Sequence, residues 1–244
     1  MNYDEDFRER FYRSYYADQA GRGEVSLQKK VSSDQRHYRN LILPLLPDNS
    51  KIRILDAGCG YGSLVDFLVK SGYQNVEGVD ISEDQIKQAR AMGVERVIQA
   101  DLFEFLEGDQ RWDVIIGLDL IEHFTKAEVV RLLKLVYESL SEGGRFIGRT
   151  PNIDAPFGTV YAYGDFTHGL ILNGSSAVQL FETMNFSNVE IMPEPVKYRT
   201  GMKGWIQRLG FRGMRGAAKF LFFITGRSIS EVVLTPNMII RADR

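Results

Sequence analysis

The stretch KIRILDAGCGYGSLVDFL, residues 51–68, decides the fold. Residues 52–55 form a short apolar run that closes on Asp56, and glycines follow at 58, 60 and 62. Leu64, Val65 and Leu68 then recur at helical spacing. The pattern predicts strand, glycine-rich turn and helix. Such a turn after a first strand places a nucleotide-like ligand at the carboxyl ends of the strands. The dinucleotide fingerprint Gly-x-Gly-x-x-Gly does not fit, because Ser63 stands where its third glycine would fall. A carboxylate at Asp56 would also repel a pyrophosphate. It suits a ligand that carries an ammonium or sulfonium group and no phosphate.

The rhythm continues downstream. Residues 76–79 predict a second strand ending in Asp80 and Ile81, where a carboxylate can accept from both ribose hydroxyls. Ser82 reads as a helix cap, with Gln85 three residues on. Residues 97–99 predict a third strand, followed by Asp101 and Leu102, and a carboxylate there can accept from an adenine amino group. Taken singly, Asp80 or Asp101 also fits a plain helix cap. Residues 112–117 predict a fourth strand, running into Leu118. Residues 127–140 predict a helix broken by Gly143 and Gly144, and residues 145–149 a fifth strand. Strands alternating with helices imply a mostly parallel α/β sheet covered on both faces.

The run Asp56-Ala57-Gly58-Cys59-Gly60-Tyr61-Gly62, with Asp80 and Asp101 at these intervals, resembles the class I S-adenosylmethionine-dependent methyltransferases over residues 51–150. The resemblance implies a Rossmann-like sheet and S-adenosylmethionine as cofactor. It also implies a cradle of Asp56, Ala57, Gly58, Cys59, Gly60, Gly62, Asp80, Ile81, Asp101, Leu102 and Leu118. Cys59, the single cysteine, reads as a small filler rather than a nucleophile.

After the fourth strand comes Asp119-Leu120-Ile121-Glu122-His123-Phe124. If that turn is helical, Asp119, Glu122 and His123 share one face. His168 follows in Gly164-Asp165-Phe166-Thr167-His168, so two of the three histidines fall near the expected reaction centre. Three readings stand side by side. His123 or His168, with Glu122 beside them, acts as a general base on an acceptor hydroxyl. Alternatively Asp119, Glu122, His123 and His168 hold a divalent metal, Mg²⁺, Mn²⁺ or Zn²⁺, that acidifies that hydroxyl. Or His123 caps a helix and has no chemical part. The Asp119-x-x-Glu122-His123 pattern is similar to the Glu-x-x-Glu-His site of ubiquinone-biosynthesis O-methyltransferases and of small-RNA 2′-O-methyltransferases. The latter add a later histidine after Thr-Pro-Asn, as His168 follows Thr150-Pro151-Asn152. Asp119 is one methylene shorter than the glutamate of both families. Residues 110–185 look more like bacterial methyltransferases associated with surface-glycan assembly.

The flanks differ in character. Residues 1–50 read as a helical lid, with Tyr12, Tyr15 and Tyr16 as a packing face, and residues 51–244 as the catalytic domain. Residues 197–230 read as a basic insertion before a last strand over 238–242. Within it, residues 197–227 carry eight cations and no acid, together with the apolar group 220–224. A packing hairpin, contact with a membrane or glycolipid surface, and a phosphate backbone all fit that run. Gly201, Gly204, Gly210, Gly213 and Gly216 argue against one long helix. The formal net charge of −2 gives no global pull toward polyanions. With no signal segment at residues 1–10, the expected location is cytoplasmic, with peripheral contact at the inner membrane face. The expected reaction is O-methylation of a sugar or surface-glycan intermediate, a small-molecule or glycan acceptor. The alternatives are a quinone-precursor phenol, an RNA 3′ end, or a non-catalytic cofactor-binding scaffold. Nucleic acid is not expected as a partner.

Overall fold

The computed structural model describes residues 27–196, 198–226 and 233–244. The expectations for Tyr12, Tyr15 and Tyr16, and for Lys197 and Arg227, lie outside the described residues. The strands are β1 (Arg53–Ala57), β2 (Asn75–Asp80), β3 (Val97–Gln99), β4 (Trp112–Leu118), β5 (Leu140–Pro151), β6 (Ser187–Pro193) and β7 (Asn237–Asp243). The described helices are α1 (Leu27–Leu41), α2 (Ser63–Lys70), α3 (Glu83–Ala91), α4 (Leu102–Leu106), α5 (Lys126–Ser139), α6 (Gly158–Ala162), α7 (Gly174–Thr183) and α8 (Gly201–Ile224).

The seven strands form one sheet in the order β3-β2-β1-β4-β5-β7-β6. Strands β1 to β5 pair in parallel. β7 runs antiparallel between β5 and β6. β6 therefore points the same way as β5. The Rossmann-like α/β architecture expected from the sequence is present.

Alternation along the strands sorts the core into two layers. Leu55, Ile115, Phe146 and Ile240 face one side, against Val129, Leu132, Leu133 and Val136 of α5 and Phe181 of α7. Ile54, Val114, Ile116, Ile147 and Ile239 face the other, against Leu64, Val65 and Leu68 of α2 and Ile86 of α3. Burial on both faces is why the central strands are near-continuous in Val, Ile and Leu. Each such side chain, fully buried, contributes roughly 1.5–3 kcal/mol. α1 lies on the second layer. Its Tyr38 ring meets Phe67 of α2 at 5.8 Å, and Leu41 and Ile42 are buried.

Two sequence expectations fail. Gly143 and Gly144 do not end a helix; α5 stops at Ser139, and both glycines lie inside β5, where its register with β4 shifts. The glycines of residues 201–216 do not interrupt α8, which is one 24-residue helix and not a hairpin. Gly204 has a packing reason to be there, since a Cβ on it would strike the Arg199 carbonyl.

Candidate active site

The carboxyl ends of β1, β2 and β4 border a cavity of about 330 Å³. Gly58, Gly60, Asp80, Ile81, Asp101, Leu102 and Leu118 line it. Asp80 organises this wall. Its Oδ2 accepts from Gly60 N and its Oδ1 from Ser82 N, both at 2.8 Å. The carboxylate thus ties the glycine turn to the start of α3 and keeps lone pairs for a ligand. Burial raises the Asp80 pKa, and the two N–H donors oppose that rise. Asp101 caps α4, its Oδ1 accepting from Phe103 N at 2.8 Å and Glu104 N at 3.1 Å. The cap and the cavity-lining positions coincide.

Asp56, Ala57, Cys59 and Gly62 are not on the cavity wall but support it. Asp56 is buried, and burial, with the Asp80 charge next, pushes its pKa up to about 8. The buried Cys59 thiol sits under Gly78, and burial pushes its pKa up. Gly62 backs onto Val94 and Val97. Gly58 has φ +73°, and an added Cβ would lie 2.9 Å from Leu120 Cδ1.

The turn after β4 is not the expected helix. Asp119 has φ +52°, and only residues Ile121–His123 form a 3₁₀ turn. The Asp119 carboxylate points instead at Arg149 at the end of β5, in a two-pronged ion pair through Nε and Nη2. Arg149 Nη1 also donates to Glu194, which accepts from His37 of α1 at 2.8 Å and from Asn237 at 2.9 Å. Asp119 therefore leaves the expected metal set: its oxygens are committed to a guanidinium. It lines the cavity without joining the cluster.

The other three residues do come together. One ligand atom each of Glu122, His123 and His168 lie within 4.8 Å of one another. The hydrogen bonds fix both tautomers. The Thr167 hydroxyl donates to Asp165 Oδ1 at 2.7 Å, so its oxygen accepts from His123 Nδ1 at 2.8 Å. His168 Nδ1 donates to the Ala162 carbonyl at 2.9 Å. Each imidazole then carries its lone pair on Nε2, the arrangement that metal-ligating histidines adopt. Glu122 is buried, and its Oε2 has no hydrogen-bond partner. Burial and then the Asp119 charge raise the Glu122 pKa. Burial and then His168 lower His123 to about 4. A buried carboxyl group with an unpartnered oxygen, clustered with two imidazoles, fits a divalent cation.

Several wall residues escaped the sequence reading. Tyr61, Gln85, Phe103 and Phe124 line the cavity. The Tyr61 hydroxyl donates to Asp34 of α1. Gln85 Oε1 is buried with no partner, so a ligand donor would complete it. Gln85 was visible only as a capping residue. Asp165 and Thr167, which orient His123, gave no separate signal.

A family model described as a methyltransferase domain matches residues 31–191. The ubiquinone biosynthesis O-methyltransferase of Rickettsia bellii is 38% identical over 103 residues, 41% of this chain and 39% of that protein. The match thus spans about two-fifths of the relative's length. Among solved structures, a SAM-dependent methyltransferase from Archaeoglobus fulgidus has TM-score 0.68 at 21% identity, covering 94% of this chain and 99% of that one. The magnesium protoporphyrin IX methyltransferase of Synechocystis PCC 6803, with bound SAH, has TM-score 0.63 at 17% identity and covers 99% of both chains. The structural matches show the fold. One of them corrects an expectation. The methyltransferase domain of bacterial Hen1 matches at TM-score 0.55 and 16% identity, over 87% of this chain and 99% of that one. With that match among its structural neighbours, the expectation that nucleic acid is not a partner does not stand.

Proposed function

The chain belongs to the methyltransferase domain family, and on that premise we propose that it methylates a phenolic hydroxyl of a quinone precursor. The observation that carries the reading is the Glu122, His123 and His168 cluster, next to a cofactor cavity lined by Phe103, Phe124 and Leu120. The aromatic wall suits a planar acceptor ring. The relationship to ubiquinone biosynthesis O-methyltransferases supports the phenol over the sugar or surface-glycan hydroxyl expected first.

Glu122, His123 and His168 would hold a divalent cation, Mn²⁺ or Zn²⁺ by ligand type, which supplies Lewis-acid polarisation of the acceptor oxygen. Asp165 and Thr167 hold the His123 ring in its tautomer. Asp80, Asp101 and Gln85 would fix the ribose and adenine of S-adenosylmethionine, and Asp56, once deprotonated, would supply negative charge beneath the turn for its ammonium group. What remains is placement of the acceptor oxygen in line with the methyl group. With its pKa near 4, His123 is a weak base at neutral pH. A phenol, whose pKa is about 10, demands far less of a base than an aliphatic hydroxyl.

The test is a panel of acceptors offered with methyl-labelled S-adenosylmethionine: a catechol bearing an isoprenoid tail, a nucleotide sugar, and an RNA oligonucleotide with a free 3′ end. Label on the catechol oxygen is expected. Label on the sugar or RNA alone overturns the reading.

A further inference from the structure

Helix α8 is almost uncovered. Of its 24 residues only Gly204 is buried. Its side chains sort into three stripes. Phe211, Met214, Ala218 and Phe222 are partly covered and continue from Gly204. Phe211 faces Ile191 and Pro193 of β6 across a cavity. A second stripe, Met202, Ile206, Leu209, Phe220 and Ile224, is apolar, and each member is more than half exposed. Trp205 and Phe223, also more than half exposed, lie at its margin. The third stripe is Arg208, Arg212, Arg215 and Lys219, at i, i+4, i+7 and i+11, all exposed. The helix contains no acidic residue.

The topology sets where this surface lies. β6 runs parallel to β5, so it ends on the sheet edge that carries the cofactor cavity. β7, antiparallel, begins on that edge. α8 lies between the two in sequence, so the segments on either side of it meet the sheet on the ligand-binding edge. The segment from β5 to α7 leaves the same edge and exposes Phe157, Tyr163 and Phe166 ahead of His168.

We propose that α8 docks the enzyme on an anionic phospholipid bilayer, lying in the interface plane. The apolar stripe enters the acyl boundary, and the arginine stripe beside it meets lipid phosphates. No described helix is long and apolar enough to cross a membrane, so the contact is peripheral. Charge selects the occupant. A second copy of α8 would cover the apolar stripe and leave the arginine stripe without anionic partners, since the helix contains no acidic residue. A nucleic-acid backbone would satisfy the arginines and leave the apolar stripe in water, at a cost that scales with its area. The surface of an anionic bilayer satisfies both stripes.

The experiment uses the full chain and two vesicle preparations, phosphatidylcholine alone and equal parts phosphatidylcholine and phosphatidylglycerol. Sedimentation should show binding to the anionic vesicles only, weakened by salt. Trp205 emission should shift to the blue on binding, while the buried Trp112 does not respond. Arg208→Glu, Arg212→Glu, Arg215→Glu and Lys219→Glu together should weaken partition by more than about a hundredfold, at roughly fivefold per cation. A second variant, Leu209→Ser with Phe220→Ser, should abolish the Trp205 shift. Unchanged S-adenosylmethionine affinity in both variants shows an intact fold. Absence of binding to anionic vesicles, or equal binding by the charge-reversed chain, overturns the proposal. So does capture of an RNA oligonucleotide without vesicle binding, or a concentration-dependent dimer that covers α8.

Discussion

Replacing Asp80 tests the cofactor wall most sharply. Its two oxygens accept from Gly60 N and Ser82 N at 2.8 Å, so Asp80→Ala removes two charge-assisted bonds within the apo protein. It also removes the acceptor expected to bind the ribose. Charge-assisted bonds contribute about 1.5–3 kcal/mol, so loss of the ribose contact alone predicts a roughly 10- to 150-fold weaker affinity for S-adenosylmethionine. Stability falls less, by about 1–2 kcal/mol, because losing the buried carboxylate also relieves its desolvation. Asp80→Asn should fall between: its carbonyl keeps one N–H partner, and its amide faces the other N–H as donor against donor. Calorimetric titration well below the melting transition measures the affinity, and circular dichroism confirms the fold. An Asp80→Ala chain that is folded and binds with unaltered affinity would refute the assignment.

Gly58→Ala forces a side chain into a left-handed backbone and against Leu120, and should abolish cofactor binding in calorimetry while costing about 1–2 kcal/mol of stability. Asp56, with a folded pKa near 8, binds its proton more tightly folded than unfolded, so its contribution to apo stability is complete at low pH and is lost as pH rises toward 8. Melting temperatures across that window should fall, with a shallower slope in Asp56→Asn, whereas cofactor affinity should rise with pH as the carboxylate forms; a slope unchanged by the substitution contradicts both statements. Arg149→Met leaves the carboxylates of Asp119 and Glu194 without their shared cation. Because Asp119 is half exposed, the loss should be about 2–3 kcal/mol in chemical denaturation, below the range for fully buried pairs. His168→Ala should weaken Mn²⁺ binding by at least about tenfold, read by titration calorimetry without any acceptor.

The cofactor wall was legible because it is written locally. Short apolar runs, a glycine turn and a carboxylate at each strand end are set by residues a few positions apart, and Asp80 and Asp101 stand at the cavity. The Asp119 turn was not legible. Helical spacing put Asp119 with Glu122, but its positive φ and its Arg149 partner, 30 residues away, turn it aside. Glu122 and His168 meet because the later loop is anchored here twice: Thr167 holds His123, 44 residues away in sequence, and the N–H groups of Gly169 and Leu170 donate to the Glu122 carbonyl. The continuous α8 was misjudged for a different reason. Glycine propensity counts backbone freedom but cannot see that Gly204 packs against a carbonyl.

The proposed reaction is methyl transfer to a phenolic oxygen at the Glu122, His123 and His168 cluster. Turnover of a catechol acceptor with labelled S-adenosylmethionine, followed through exhaustive chelation and metal add-back, tests it most directly. The prediction is activity lost on chelation and restored by Mn²⁺ or Zn²⁺ in the wild type, with no restoration in His168→Ala. Full catechol methylation by the chelated protein would contradict it.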